Sequence, residues 1–119
     1  MKDFVTYEQA LELKELGFDE PCFGYYPNCD VLIQKNAIKE EFKTYTIAPL
    51  YQQAFRWFRE KYFIHHKIGR DYDTWDYELY DFKSGNKHIP TGFKTFNTYE
   101  EAELACLIKL NEIVKTKQL

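Results

Sequence analysis

The chain has 119 residues, including ten tyrosines and ten phenylalanines, and a net charge of −3 at neutral pH. This length suits one domain that buries its own core, so we expect a single α+β domain over residues 1–119. The acidic balance argues against a protein that coats nucleic acid without regard to sequence, because such proteins carry a large positive field.

The cysteines and the apolar segments indicate a cellular compartment. The three cysteines cannot form a complete disulfide framework, since one would be left over. The first residues do not read as a signal peptide, and no apolar stretch reaches the length needed to span a bilayer. We therefore expect a reduced, cytoplasmic protein that does not bind membranes.

The first predicted helix begins with a cap. Thr6 is followed by Gln9 at the spacing of a capping box, and Gly17 suits the left-handed residue that ends a helix. The same chemistry recurs at Thr98 and Glu101, ahead of the final helix. Because the flanking sequences differ, we interpret the recurrence as repeated cap chemistry and not as a duplicated domain.

The segment between this helix and the middle of the chain reads as short strands. Residues 21–26 are aromatic and extended, residues 27–30 read as a turn, and residues 31–33 form a β-type run, so a hairpin is expected. Residues 36–41 are polar and read as a loop or a helical turn. A further strand is expected over residues 42–47.

A central helix is predicted over residues 49–62, with Pro49 in its first turn. Its apolar face has helical spacing. The residues on that face are Leu50, Ala54, Phe58 and Tyr62, widened by Tyr51 and Phe55. Arg56 and Arg59 lie outside this face and one turn apart, so their guanidinium groups are expected to converge.

After this helix, the apolar residues recur at every second position, which is the period of a strand. Residues 64–68 form a strand with Ile64, His66 and Ile68 on one face, and residues 69–73 read as a turn. A second strand covers residues 75–80. A last short strand over residues 88–93 is interrupted by Pro90.

The final helix has a broad apolar face, which predicts a main wall of the core. Its apolar residues are Ala102, Ala105, Cys106, Ile108, Leu110, Ile113 and Val114. We expect Cys106 to be a small buried hydrophobic residue. The whole chain then predicts a mostly antiparallel sheet of four to five short strands, with three helices packed on one face.

Charge is unevenly placed around the predicted hairpin. Residues 56–70 are rich in cations, whereas residues 71–81 carry five acids and no base. One interpretation is an anion site, with tyrosine and tryptophan as its apolar walls. The predicted ligand-binding residues are Arg56, Arg59, His65, Lys67, Arg70, Tyr51, Trp57 and Trp75. The simpler interpretation is that the two blocks neutralise each other across the hairpin.

Other chemistry is less well supported by the spacing. Cys22 and Cys29 lie too far apart for a zinc knuckle, and we expect no metal and no cofactor. A looser pattern suggests a metal-dependent hydrolase, since magnesium favours clustered carboxylates. Its residues are Asp71, Asp73, Asp76 and Asp81, with Lys83.

Three segments, residues 6–23, 48–62 and 98–107, together resemble small uncharacterised accessory proteins of bacteriophages and of integrated elements of gut bacteria. The resemblance implies a protein that acts in the cytoplasm of a bacterial host. Such accessory proteins often counter host defence, by gripping a host protein or by sequestering a nucleotide messenger. No catalytic residue is carried over by this resemblance.

We therefore expect a non-catalytic, homo-oligomeric binding protein. Its predicted partner is an anionic, nucleotide-like small molecule held between the central helix and the hairpin of residues 64–82. A protein–protein inhibitor of a host enzyme is the first alternative, and the metal-dependent hydrolase is the second.

Overall fold

Three helices and six short strands form the described part of the chain in the computed structural model, which covers residues 3–29, 31–34, 45–83, 85–92 and 94–117. Contacts group the chain into two compact units, Met1–Ala54 and Phe55–Leu119. They are called the N-terminal and C-terminal units, and each is described by itself. The α+β class expected from the sequence is confirmed.

In the N-terminal unit, α1 (Tyr7–Glu15) has the predicted cap. Thr6 Oγ1 accepts a hydrogen bond from the Gln9 N–H at 3.4 Å. Gly17 follows the helix with φ of 98°, a conformation that glycine adopts without steric cost. Both ends of α1 were therefore predicted from local chemistry.

A small antiparallel sheet completes this unit. Its strands are β1 (Tyr25–Asn28), β2 (Val31–Ile33) and β3 (Thr46–Ile47), in the order β2-β1-β3. The predicted hairpin is confirmed as β1 and β2. The loop expected over residues 36–41 and most of the strand expected over residues 42–47 lie outside the described residues.

The helix α2 (Tyr51–Tyr62) begins two residues after Pro49, so the placement of Pro49 in its first turn was wrong. The chain is still extended at this point, because the Pro49 carbonyl accepts a hydrogen bond from the Val5 N–H at 3.0 Å. Phe4 and Leu50 also form an isolated antiparallel bridge. The apolar face of α2 is confirmed by Ala54 and Phe58, both fully buried.

The C-terminal unit contains a second antiparallel sheet. Its strands are β4 (Ile64–Asp71), β5 (Thr74–Asp81) and β6 (Lys87–Ile89), in the order β4-β5-β6. The expectation of one sheet with four to five strands was therefore wrong, because each group of strands pairs locally and no described ladder joins β1–β3 to β4–β6. The β4–β5 turn is also tighter than predicted: only Tyr72 and Asp73 separate the strands.

We call the two faces of this second sheet inner and outer. The inner face carries Trp75, Tyr77 and Leu79, and α3 (Tyr99–Lys117) packs on it, with Tyr99 and Trp75 ring centroids 5.4 Å apart. The outer face carries the alternate residues, among them Asp76 and Glu78, as the period of two predicted.

The wall formed by α3 differs in detail from the prediction. Ile108 is 43% exposed, whereas Leu107 is fully buried, so the apolar stripe lies one residue away from the expected line at this turn. The burial of Cys106 is confirmed. No helix in the described ranges is both long and apolar enough to span a bilayer.

The cap of α3 provides a stability test. Thr98 Oγ1 accepts from the Glu101 N–H at 3.1 Å and donates to the Glu101 carboxylate at 3.2 Å. We expect Thr98→Ala to lower the free energy of unfolding by about 1 kcal/mol, because an amide at the helix start loses its acceptor. Urea denaturation followed by circular dichroism measures this change.

The matched control is Thr116→Ala at the other end of the same helix. Thr116 Oγ1 donates to the Glu112 carbonyl at 2.9 Å, a bond that competes with helix geometry, so we expect no loss of stability. Equal losses for the two variants would contradict the cap as the cause.

Candidate functional site

The predicted anion-site residues of the C-terminal unit occupy different surfaces. On α2, Arg56 is exposed, and its Nε lies 3.7 Å from Glu60 Oε1 in an i,i+4 ion pair. Exposed pairs of this kind contribute little to stability, but they occupy the guanidinium group. Arg56 is thus held along the helix by a carboxylate.

Arg70 and Trp75 lie on the inner face, at the turn end of the hairpin. Arg70 Nε donates to the Tyr72 carbonyl at 3.0 Å, and its guanidinium carbon lies 5.5 Å from the Trp75 ring centroid. These contacts hold the Arg70 side chain over the tryptophan. The β4–β5 register pairs Arg70 directly with Trp75.

The two remaining aromatic candidates on α2 are buried. Trp57 is 6% exposed and packs edge-on against Phe58, with ring centroids 5.2 Å apart. It is therefore a core residue instead of a pocket wall. Tyr51, at the start of α2, is 7% exposed and belongs to the N-terminal unit.

His66 forms an inner-face contact that the sequence did not reveal. Its ring stacks on Phe55 at 3.9 Å, which fixes α2 against β4. Burial, together with the charges of Arg59 and His65, lowers the pKa of His66 from 6.5 to about 4. The ring is consequently neutral at physiological pH, and Arg59 lies close to it.

His65 and Lys67 lie on the outer face, beside a group of rings. The register aligns His65, Tyr80 and His88 across all three strands. The His65 and Phe82 centroids are 4.5 Å apart, and those of Tyr80 and His88 are 5.4 Å apart. We call His65, Tyr80, Phe82 and His88 the outer ring cluster.

A groove of about 360 Å³ adjoins this cluster. Its lining residues are Asp76, Tyr77, Glu78, His88, Pro90, Thr91, Gly92 and Lys94. His88 belongs to both features. Tyr80 donates its hydroxyl hydrogen to Glu78 Oε2, and this hydrogen bond raises the pKa of Tyr80.

The outer face has little net charge. Lys67 lies opposite Glu78 in the register, and Lys94 lines the groove together with Asp76 and Glu78. Around the groove, two ammonium groups therefore accompany two carboxylates, and Asp71 adds a third carboxylate at the turn end of this face. This agrees with the simpler interpretation of the sequence, in which the acidic and basic blocks offset each other across the hairpin.

Part of this surface was predictable from the sequence. The alternation along β5 indicated that Tyr80 shares a face with Glu78, but it did not reveal that β6 would bring His88 alongside. Lys94 lies after a strand whose end was predicted too late: β6 stops at Ile89, before Pro90. Pairing between strands, which alternation alone does not specify, created the cluster.

The carboxylates of the hydrolase hypothesis are divided between surfaces. Asp76 is on the outer face, whereas Asp81 pairs with Ile64 on the inner face and accepts from the Lys83 N–H at 2.9 Å. Within the described ranges, no three histidine, cysteine or carboxylate side chains are grouped as metal ligands.

Comparison with protein-family models, curated proteins and solved structures found no match for this chain.

His66 predicts a pH dependence of stability. Its pKa is lower in the folded chain than in the unfolded chain, so the unfolded state binds more protons between pH 6.5 and about 4. Stability should therefore fall as the pH drops through this window, by roughly 2 kcal/mol once the effect of the shift is reduced for the partial exposure of the ring. Urea denaturation of wild type and His66→Phe across the window measures the difference.

His66→Phe keeps a ring against Phe55 but cannot take up a proton. Below pH 6.5, we expect the free energy of unfolding to fall less for this variant than for the wild type. Above pH 6.5, the difference in free energy of unfolding between the two proteins should be constant. Parallel curves for the two proteins at all pH values would contradict a buried neutral histidine.

The cysteines differ in reactivity. Burial raises the pKa of Cys22 to about 12 and also raises the pKa of Cys106, whereas Cys29 is exposed. Because the thiolate is the reactive form, we expect one fast-reacting thiol in the native protein at pH 8. A chromogenic disulfide reagent should detect the other two only after denaturation.

Cys29→Ser is the control for this experiment and should abolish the fast phase while leaving the slow thiols unchanged. A second fast thiol in the native wild type would show that Cys22 or Cys106 is more accessible than its burial indicates.

Proposed function

We propose that this chain is a non-catalytic binding protein whose outer face holds a nucleotide-like molecule of low charge. The observation that supports this proposal is the outer ring cluster, which lies beside a groove containing both acceptors and cations. The proposed site keeps His65 and Lys67 from the sequence-based prediction and replaces the arginines with Tyr80, His88 and Lys94.

Rings on an antiparallel sheet form a stacking surface. Stacking on an aromatic side chain contributes about 1–3 kcal/mol of binding free energy per base, and every base has a flat face suited to this contact. His88 is exposed and Phe82 is 42% exposed, so ring surface is available to a ligand. Tyr80, between them and His65, is fixed by its hydrogen bond to Glu78.

The charges of the groove favour a particular ligand chemistry. Carboxylates such as Asp76 and Glu78 accept hydrogen bonds from the amino groups of bases. Lys67 and Lys94 attract phosphate, but they are offset by those same carboxylates. A ligand with a single negative charge, such as a cyclic mononucleotide, therefore fits better than a triphosphate, whose total charge is higher.

The biological setting is part of the proposal. The resemblance to phage accessory proteins favours a role in a bacterial cytoplasm, where sequestering a nucleotide messenger would counter host defence. This setting agrees with a binding protein that does not turn its ligand over.

A second candidate function is inhibition of a host protein. It is favoured by large exposed rings near the outer face: Phe63 is 48% exposed and Tyr72 is 92% exposed. Such rings are enriched where proteins meet. Capture of a stoichiometric host protein, combined with no nucleotide binding, would favour this candidate.

The nucleotide proposal is tested by calorimetric titration with cyclic and linear nucleotides. We expect binding of at least one cyclic nucleotide, and weaker binding of the matching triphosphate. Tyr80→Ala should weaken binding about tenfold or more through lost stacking. His88→Ala should weaken it as well, and this exposed position leaves the sheet core intact.

Arg56→Ala is the matched control, since Arg56 is exposed on α2 and outside the proposed site. This variant should bind the nucleotide with the same affinity as the wild type. The proposal fails if no nucleotide in the panel binds. Loss of binding in Arg56→Ala, with Tyr80→Ala unaffected, would instead return the site to the helix arginines.

A further inference from the structure

The strand β4 forms one edge of the C-terminal sheet. Among the described residues it pairs with β5 alone, over the full length of Ile64–Asp71. An edge of this length presents a row of backbone donors and acceptors that another strand can pair with. We propose that two copies of this chain associate through their β4 edges, in an antiparallel pairing centred on Ile68.

The hydrogen-bond pattern shows which β4 residues direct their backbone N–H and C=O groups toward this free edge. Phe82 donates to the Phe63 carbonyl at 2.9 Å, and Trp75 exchanges two backbone bonds with Phe96 on the side away from β4. Since bonded and non-bonded pairs alternate, Arg70, opposite Trp75, directs its backbone groups away from β5. The same holds for Ile68, His66 and Ile64.

Pairing about Ile68 satisfies Ile68, His66 and Arg70, and leaves out Ile64, which lies opposite Tyr72 at the turn. Ile68 meets Ile68 of the second copy, and His66 meets Arg70 in both directions. The resulting ladder contains six backbone hydrogen bonds, as counted from the antiparallel pattern. An apolar pair lies at its centre, and the half-buried, neutral His66 lies opposite Arg70 without repulsion.

The outer-face residues are also complementary in this register. Lys67 lies opposite Gly69, which has no side chain to obstruct it, and His65 lies opposite Asp71. A register centred on Lys67 would instead place two ammonium groups directly opposite each other, which is destabilising. Charge therefore disfavours that neighbouring register.

A register centred on Gly69 is disfavoured by backbone geometry. It would place His66 opposite Tyr72, whose φ of 57° takes the chain out of the extended conformation at the turn. The ladder would then lose its outermost bonds. Of these three neighbouring registers, charge disfavours the one centred on Lys67 and backbone geometry the one centred on Gly69, so pairing about Ile68 is favoured.

The first test is sedimentation equilibrium of the full chain over a range of concentrations. We expect a reversible dimer, and His65→Glu should weaken it roughly five- to tenfold, because two like-charged pairs are then created with Asp71. The double variant His65→Glu, Asp71→Lys should restore the wild-type affinity. A monomer at every concentration overturns the proposal.

The second test determines the register by disulfide trapping in a Cys29→Ser background. Lys67 and Gly69 of opposite copies form a non-bonded pair, whose Cα separation of about 4.5 Å permits a disulfide. We expect the double variant Lys67→Cys, Gly69→Cys to give a covalent dimer on a non-reducing gel. Neither single variant should do so.

Gly69 tolerates the new side chain, since an added Cβ would meet only the Asp76 Oδ1 at 3.1 Å, the end of a flexible side chain. A covalent dimer from Lys67→Cys alone would indicate a register centred on Lys67, and one from Gly69→Cys alone a register centred on Gly69. Either result overturns the pairing about Ile68, as does the absence of any covalent dimer.

Discussion

The alternation of side chains along β4 and β5 determines which residues of the C-terminal unit can act together. Successive residues of a strand point to opposite faces, so two cations an odd number of residues apart are separated by the sheet. Lys67 and Arg70 illustrate this: the first is on the outer face beside Glu78, and the second lies over Trp75 on the inner face. A cluster of charge in the sequence is thereby divided between two surfaces.

The inner face is specialised for packing, although it contains groups that are usually functional. His66 is stacked on Phe55 and kept neutral, and on α2 itself Trp57 packs against Phe58 and Tyr62. Aromatic side chains bury much area each, and this chain uses them as core material on one side of the sheet. The outer rings lie on the opposite side and remain accessible.

Sequence reasoning was most successful where the determining interactions are local. The cap at Thr6, the end of α1 at Gly17 and the cap at Thr98 depend on groups three or four residues apart, and all three were predicted. The division into two sheets was not predicted, because pairing between strands depends on contacts far apart in sequence. For the same reason, the approach of His88 to Tyr80 was missed, and helical spacing alone could not show that Arg56 is paired with Glu60.

A single residue, Phe63, joins α2 to β4, and it does so with φ of 59°. A link of one residue cannot absorb a change in the position of the helix relative to the strand that follows it. One added amino acid there would require either a bulge at the joint or an inversion of β4, and inversion would turn the imidazole of His66 toward solvent and the ammonium of Lys67 toward the core. In related chains, we therefore expect this joint to keep its length of one residue, even where the type of residue changes.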